Sequence, residues 1–117
     1  IRVMGDGSPF RSYQHAADLA VWLWTVLTAG EPGRAYNVGS EHAISIADLA
    51  RVIADLAPTP CEVHRTREPD HSHLPSRYVP CTRRAQQELG LSERITLSDA
   101  IERTIRWHRG REVSSES

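Results

Sequence analysis

Arg11 stands four residues after Gly7, behind the run Gly5-Asp6-Gly7-Ser8-Pro9-Phe10, and two residues before Tyr13. A guanidinium is planar, keeps its charge and can donate two parallel hydrogen bonds, so an arginine behind a small-residue turn suits a phosphate or diphosphate. The turn carries no bulky side chain to block a ligand. A surface arginine on a hairpin fits the same spacing. A second arginine, Arg67, lies in Arg67-Glu68-Pro69-Asp70, within a polar loop over 66–76, and Arg65 is two residues away. Loops of that length are often functional, although charged loops are commonly just solvated. Asp70-His71-Ser72-His73, with Cys61, His64 and Cys81, supplies metal-ligand residue types. The tight pairs that zinc sites use, C-x-x-C or H-x-x-x-H, are missing. Cys61 and His64 on a strand would point to opposite faces. We therefore expect no metal site, and no Ser-His-Asp arrangement is legible.

Composition narrows the chemistry. The Lys+Arg count is 14 and every one is arginine, so the chain contains no lysine. Any mechanism that needs a lysine is excluded from this chain. Net charge is −1, which provides no basic field for nucleic acid or an anionic membrane. The apolar run from Leu19 to Leu27 is interrupted by Thr25 and is far shorter than the roughly 20 residues of a membrane span. Length sets one small domain with a modest core. The chain begins at Ile1, without a charged leader, and reads as an excised fragment with no secretory signal. Two cysteines make no disulfide framework, and a reduced, cytoplasmic setting is expected.

The elements that would position these residues follow from pattern. Arg2-Val3-Met4 reads as a short strand ending in the glycine turn. Residues 15–29 read as a helix closed by Gly30. Asp18 lies in its first turn, where a negative charge meets the positive end of the helix dipole. Leu19, Val21, Trp22, Leu23, Trp24, Val26 and Leu27 go all round this helix, which predicts burial on every side. A domain this small can rarely provide that cover. Ala35-Tyr36-Asn37-Val38-Gly39 reads as a strand. Ser45-x-x-Asp48 has capping-box spacing and precedes a stripe of Ile46, Leu49, Val52, Ile53 and Leu56. Cys61-Glu62-Val63-His64-Arg65 alternates as a strand, and Arg77-Tyr78-Val79-Pro80 is extended. Thr82 is expected to cap a helix ending at Gly90, and Thr96-x-x-Asp99 to cap a last helix. Residues 110–117 read as a polar, disordered tail.

The order Gly5-Asp6-Gly7-Ser8-Pro9-Phe10-Arg11-Ser12-Tyr13, followed by an acidic helix start at Asp18-Leu19-Ala20, resembles extended short-chain dehydrogenase/reductases. It is similar to the segment that opens the substrate-binding half of the NAD-dependent epimerase/dehydratase family. The strand Tyr36-Asn37-Val38-Gly39, an arginine-and-acid loop, a helix ending Glu88-Leu89-Gly90 and a final helix ending in an aromatic follow the same family order. The resemblance covers nearly all of residues 3 to 107.

The resemblance implies an α/β fold: short strands and about four helices, the C-terminal half of such an enzyme without its Rossmann half. Residues 1–109 would be the nucleotide-sugar-binding fragment. It implies a nucleotide-diphospho-sugar substrate, with Arg11 and Arg67 on the diphosphate and Tyr78 lining the sugar pocket. Glu68 departs from the family's Arg-Pro-Gly-Asp loop, and Arg65 could take the role of Arg67. For Tyr78 the competing reading is a half-buried ring packed on the core. Cys81 stands where the family commonly has an acid.

NAD or NADP would be bound by the missing Rossmann half. Gly5-x-Gly7 is followed by Phe10 where a third glycine would be needed, and the family's Tyr-x-x-x-Lys pair is impossible without lysine. The fragment is therefore expected to be inactive by itself and to form homo-oligomers. The implied role is in bacterial surface-polysaccharide and deoxysugar synthesis, closer to the dehydratase/epimerase branch than to galactose epimerases. A non-catalytic module for an anionic nucleotide ligand, or a dimerisation fragment, are the competing readings.

Overall fold

A computed structural model describes residues 1–70 and 72–115, with the backbone only for 111–115. Along the chain it forms β1 (Arg2–Val3), β2 (Phe10–Arg11), α1 (Ala16–Ala29), β3 (Ile44–Ser45), α2 (Ile46–Leu56), β4 (His64–Arg65), α3 (Arg83–Leu89) and α4 (Leu97–Ser115). β1 pairs in parallel with β4, matching Arg2 to His64 and Val3 to Arg65. β2 pairs antiparallel with β3, matching Phe10 to Ser45 and Arg11 to Ile44. This is the small α/β architecture that the sequence predicts.

The helices begin where capping chemistry places them. The Ser45 Oγ accepts the Asp48 N–H at 3.0 Å and donates to the Asp48 carboxylate at 2.6 Å. Aspartate is one methylene too short for the usual box, so it closes on the hydroxyl instead. The Thr96 Oγ accepts the Asp99 N–H. α1 is capped by His15, whose Nδ1 accepts the Ala17 N–H at 3.1 Å. Thr82 departs from expectation. It flanks α3 without a side-chain cap bond, because the Glu41 carboxylate takes both its N–H and its hydroxyl. Those donors hold the Glu41 carboxyl below the ordinary glutamate range. Gly90 ends α3 in the left-handed conformation, φ +64°, which glycine adopts without a Cβ penalty.

The core is thin. Trp22, Ala85 and Leu91 form its centre, with Val26, Tyr36, Val38 and Leu89 packed against it. The Trp22 indole N–H donates to the Ser92 carbonyl at 3.3 Å. α2 packs on α4 and β1, and α1 packs on α3. The molecule is a plate of 52 × 47 × 18 Å with a radius of gyration of 17.4 Å. A compact domain of this length would have about 13 Å.

Three further expectations change. α1 is not buried all round: Trp22 is 1% exposed, while Trp24 is 69% and Leu27 74% exposed. Only the stripe through Asp18, Trp22 and Val26 meets the rest of the chain. The 35–39 segment forms no strand and belongs to no ladder among the described residues, and the 61–65 strand shrinks to His64–Arg65. Neither has a neighbour of sufficient length to pair with. Finally, α4 continues through Ser115 where a disordered tail from Gly110 was expected. One interior glycine costs a helix only about 1 kcal/mol, and no proline follows it. Residues 116–117, like His71, lie outside the described residues. No described helix is long and apolar enough to cross a membrane.

Candidate functional site

Arg11 sits on a three-stranded ribbon. β2 is its centre, with β3 on one side and the 76–78 segment on the other. Phe10 donates its N–H to the Ser76 carbonyl at 2.8 Å, and its carbonyl accepts the Tyr78 N–H at 3.1 Å. Phe10 and Arg77 form the bridging pair. Side chains alternate along strands, so Phe10 and Arg77 share one face while Arg11 and Tyr78 share the other. The contacts agree. The Arg77 guanidinium lies over the Phe10 ring, 5.8 Å from its centroid, and the Arg11 Nη1 reaches the Ser76 hydroxyl at 3.5 Å.

Arg11 also donates from Nη1 to the Phe10 carbonyl at 2.7 Å. Among the described residues no carboxylate pairs with it. A guanidinium has five N–H donors, so a half-buried Arg11 held by neutral oxygens keeps donors for an anion. Tyr78 is 78% exposed, which removes the reading of a ring packed on the core. The ribbon thus brings two of the three sequence-predicted residues to one face.

Arg67 is placed elsewhere. Its N–H donates to the Gly5 carbonyl at 3.2 Å, and its side chain is absent from the lining of the cavity beneath the 66–76 loop. That cavity, about 440 Å³, lies between the glycine turn, the start of α2 and the loop, and Arg65 lines it. Asp6, Asp48 and Asp70 also line it, and Ser8 holds the Asp6 carboxyl below the ordinary aspartate range by donating its N–H. The α2 N-terminus offers no free donors there. The Ile46 and Ala47 N–H groups go to the Pro9 and Gly7 carbonyls at 3.0 and 2.9 Å, and the Asp48 N–H goes to Ser45. Arg51, paired with Asp48, and His73 line it too, so three carboxylates face two arginines and the satisfied helix end adds no donor for an anion.

The glycine turn is occupied by protein. Gly7 has φ +75°, and a Cβ there would stand 2.8 Å from the Ala47 Cβ. Its missing side chain makes room for α2, not for a ligand, as the sequence reading had expected. Only Gly5 of the Gly5-x-Gly7 pair keeps open space around it, whereas a dinucleotide pyrophosphate needs open backbone against a helix start.

Asp18 proves to be a clamp. It is 5% exposed, and its Oδ2 accepts the N–H groups of Arg94 and Ile95, each at 2.9 Å. This ties the α3–α4 turn to the first turn of α1. The sequence marks Asp18 as a first-turn residue but gives no sign of its partners Arg94 and Ile95, and no motif marks Arg77. Arg77 could have been found from the two-residue alternation of Ser76-Arg77-Tyr78. Among the described residues no group of three His, Cys, Asp or Glu could hold a metal.

No family model matches the chain. Individual proteins do. The mouse dTDP-D-glucose 4,6-dehydratase is 30% identical over 112 residues, covering 92% of this chain and 31% of the mouse protein. The Streptomyces griseus dTDP-glucose 4,6-dehydratase is 28% identical over 108 residues, 92% of this chain and 33% of its own length. Among solved structures, WbmF from Bordetella bronchiseptica with NADH superposes with a TM-score of 0.81 at 27% identity, covering 97% of this chain and 33% of WbmF. DesIV, the dTDP-glucose 4,6-dehydratase of Streptomyces venezuelae solved with NAD and TYD, gives 0.78 at 24% identity, over 94% of this chain and 34% of DesIV; at that identity the likeness speaks for the fold. The chain spans about a third of the length of these two curated relatives. In sequence and fold it belongs to the extended short-chain dehydrogenase/reductase family, as a C-terminal part of such an enzyme.

Proposed function

We propose that this chain is the nucleotide-diphospho-sugar-binding portion of an NAD(P)-dependent epimerase or dehydratase, inactive without the rest of the enzyme. The observation that carries this reading is Arg11. It is held on a strand by two neutral oxygens, has no carboxylate partner among the described residues, and lies beside the exposed Tyr78. The arginine fork would take the diphosphate and the phenol would face the sugar. Arg67 remains a second diphosphate ligand only if the 66–76 loop folds toward the Arg11 face. Relatives solved with UDP-glucose, UDP or TYD support the ligand class.

The cofactor, NAD or NADP, would be held by the other part of the enzyme. There it would take hydride from a sugar carbon to give a keto-sugar. The Gly5-x-Gly7 pair matches it poorly, since Gly7 packs against Ala47, and there is no lysine for the family's Tyr-Lys pair. This chain's own work is to bind, to orient and to exclude water. We place the enzyme in the cytoplasm as a homo-oligomer, serving bacterial polysaccharide or deoxysugar synthesis.

The test is an assay of the purified 117-residue chain with NAD, NADP and a panel of UDP- and dTDP-sugars, beside the longer polypeptide of the same reading frame. We expect keto-sugar or epimer from the longer polypeptide only. Turnover by the chain itself, or an upstream sequence without G-x-x-G-x-x-G and Tyr-x-x-x-Lys, would overturn the proposal. The latter result would favour a non-catalytic nucleotide-binding module.

A further inference from the structure

We propose that His15 is a pH-sensitive latch at the start of α1. A proton taken up by its imidazole uncaps the helix and loosens the Asp18 clamp on the α3–α4 turn. The device belongs to the fold and does not depend on which ligand the Arg11 face takes.

The cap of α1 differs in chemistry from those of α2 and α4. Ser45 and Thr96 use hydroxyl oxygens, whose lone pairs remain available across the range in which histidine titrates. α1 uses a ring nitrogen: Nδ1 of His15 accepts the Ala17 N–H at 3.1 Å. Only a neutral imidazole has an accepting nitrogen, so the ring proton here sits on Nε2. Histidine is the side chain whose charge changes between pH 5 and 8. A proton arriving at Nδ1 sets donor against donor at the Ala17 N–H. It also places a positive charge at the positive end of the helix dipole. Both effects uncap the helix, so the cap is present while the ring is neutral and is lost as pH falls.

The first turn holds no substitute. Ala16 and Ala17 have no side-chain acceptor. The turn's acid is Asp18, and its Oδ2 is taken by Arg94 and Ile95. Gln14, immediately before His15, carries a buried amide with no hydrogen-bond partner among the described residues, so that side chain does not fasten the approach to α1. Nothing offsets the charge of a protonated ring either. The charged groups on the surrounding elements are Arg11 on β2, Asp18 on α1, and Glu93 and Arg94 on the α3–α4 turn. The Glu93 carboxylate accepts the Ser40 hydroxyl at 2.9 Å and lies 3.7 Å from His42. Among the described residues no carboxylate forms an ion pair with His15.

The latch reaches beyond its own turn because Asp18 stands in that turn. When the turn frays, the carboxylate that holds the Arg94 and Ile95 N–H groups moves with it. One proton at the start of α1 thus acts on a segment 76 and 77 residues away from Asp18.

Hydrogen exchange of the 117-residue chain, from about pH 7.5 to about pH 5.5, tests this in the range where histidine titrates. Each amide's exchange is divided by its intrinsic rate at that pH. The Ala17 amide should lose roughly three- to thirtyfold of its protection, the span of a lost N-cap, and the Arg94 and Ile95 amides should lose protection with it. In the same samples the His15 ring and the Ala17 amide should shift in NMR spectra with one midpoint. His15→Asn caps with an oxygen that does not titrate and should keep all three amides constant. Constant protection of Ala17 in the parent chain would overturn the proposal. So would separate midpoints for the ring and the Ala17 amide, or a His15→Asn variant that loses protection as the parent does. Loss at Ala17 with Arg94 and Ile95 unchanged would overturn the coupling to the clamp.

Discussion

Removing the Asp18 carboxylate should loosen the whole plate. Its Oδ2 accepts two backbone N–H groups, from Arg94 and Ile95, at 2.9 Å each, in a residue that is nearly fully buried. A hydrogen bond to a charged group contributes about 1.5–3 kcal/mol, and a buried donor left unpaired costs about 1–3 kcal/mol. Two donors share one oxygen here, so Asp18→Ala should cost about 3–5 kcal/mol by the same figures. A domain has on the order of 5–15 kcal/mol in total, and this one has little core. Asp18→Asn retains one acceptor oxygen and should cost about half as much. The assay is urea unfolding followed by Trp22 fluorescence. Trp22 is a suitable reporter because its indole bonds the adjacent Ser92 carbonyl. The midpoint should fall in the order parent, Asn, Ala. An Ala variant within about 0.5 kcal/mol of the parent, the usual range for an inert surface change, would mean that water satisfies Arg94 and Ile95 and that Asp18 clamps nothing.

Gly7→Ala should destabilise by roughly 1–3 kcal/mol, because the new methyl meets Ala47 at 2.8 Å and φ is +75°. Ala47→Gly in the same chain should relieve only the closest contact, since the Ala47 Cα and N stand at 3.1 Å and the φ strain remains; full rescue would show that neither is the constraint. Trp24→Glu should abolish self-association of the isolated chain in light scattering while leaving its unfolding midpoint unchanged; persistent oligomers would place the contact elsewhere. The Glu41 and Glu88 carboxyls are held below the ordinary glutamate range, Glu41 by Thr82 and Glu88 by Arg34. Depressed carboxyls stabilise the fold above the unfolded pKa of about 4.3, and that stability is lost as pH falls through their folded values. Stability should therefore be flat from pH 7 to about 5 on their account and drop below. Glu88→Gln should blunt the drop seen in denaturant titrations across that range.

The parts of this fold governed by local chemistry were legible in the sequence. Ser45 and Thr96 cap helices through backbone N–H groups three residues away, and Gly90 ends one by its own φ. Arg11 could be nominated from the turn before it, and Tyr78 only through the family resemblance. The rest depended on partners far along the chain. Asp18 reads as a dipole residue until Arg94 and Ile95 arrive, 76 and 77 residues later. Thr82 reads as a cap until Glu41 takes its donors. Gly7 reads as an open ligand turn until Ala47 fills it. Residues 35–39 have a strand's pattern, but a ladder needs a neighbour, and none of the described residues provides one. Arg67 and Arg65 could not be told apart by spacing, because only the course of the loop decides which one enters the cavity.

Steady-state kinetics of Arg11→Ala in the longer polypeptide test the account most directly. A charge-assisted contact to a diphosphate is worth about 1.5–3 kcal/mol, or roughly ten- to a hundredfold in affinity. The diphosphate is remote from the reacting sugar carbon and keeps its charge throughout. Its contact should therefore act as uniform binding, raising KM and sparing kcat. Arg11→Lys should rescue only in part, since an ammonium cannot form the two-pronged contact. The account predicts a KM raised ten- to a hundredfold with kcat nearly unchanged. An unchanged KM would remove Arg11 from the site, and a collapse of kcat at constant KM would make its role chemical rather than one of binding.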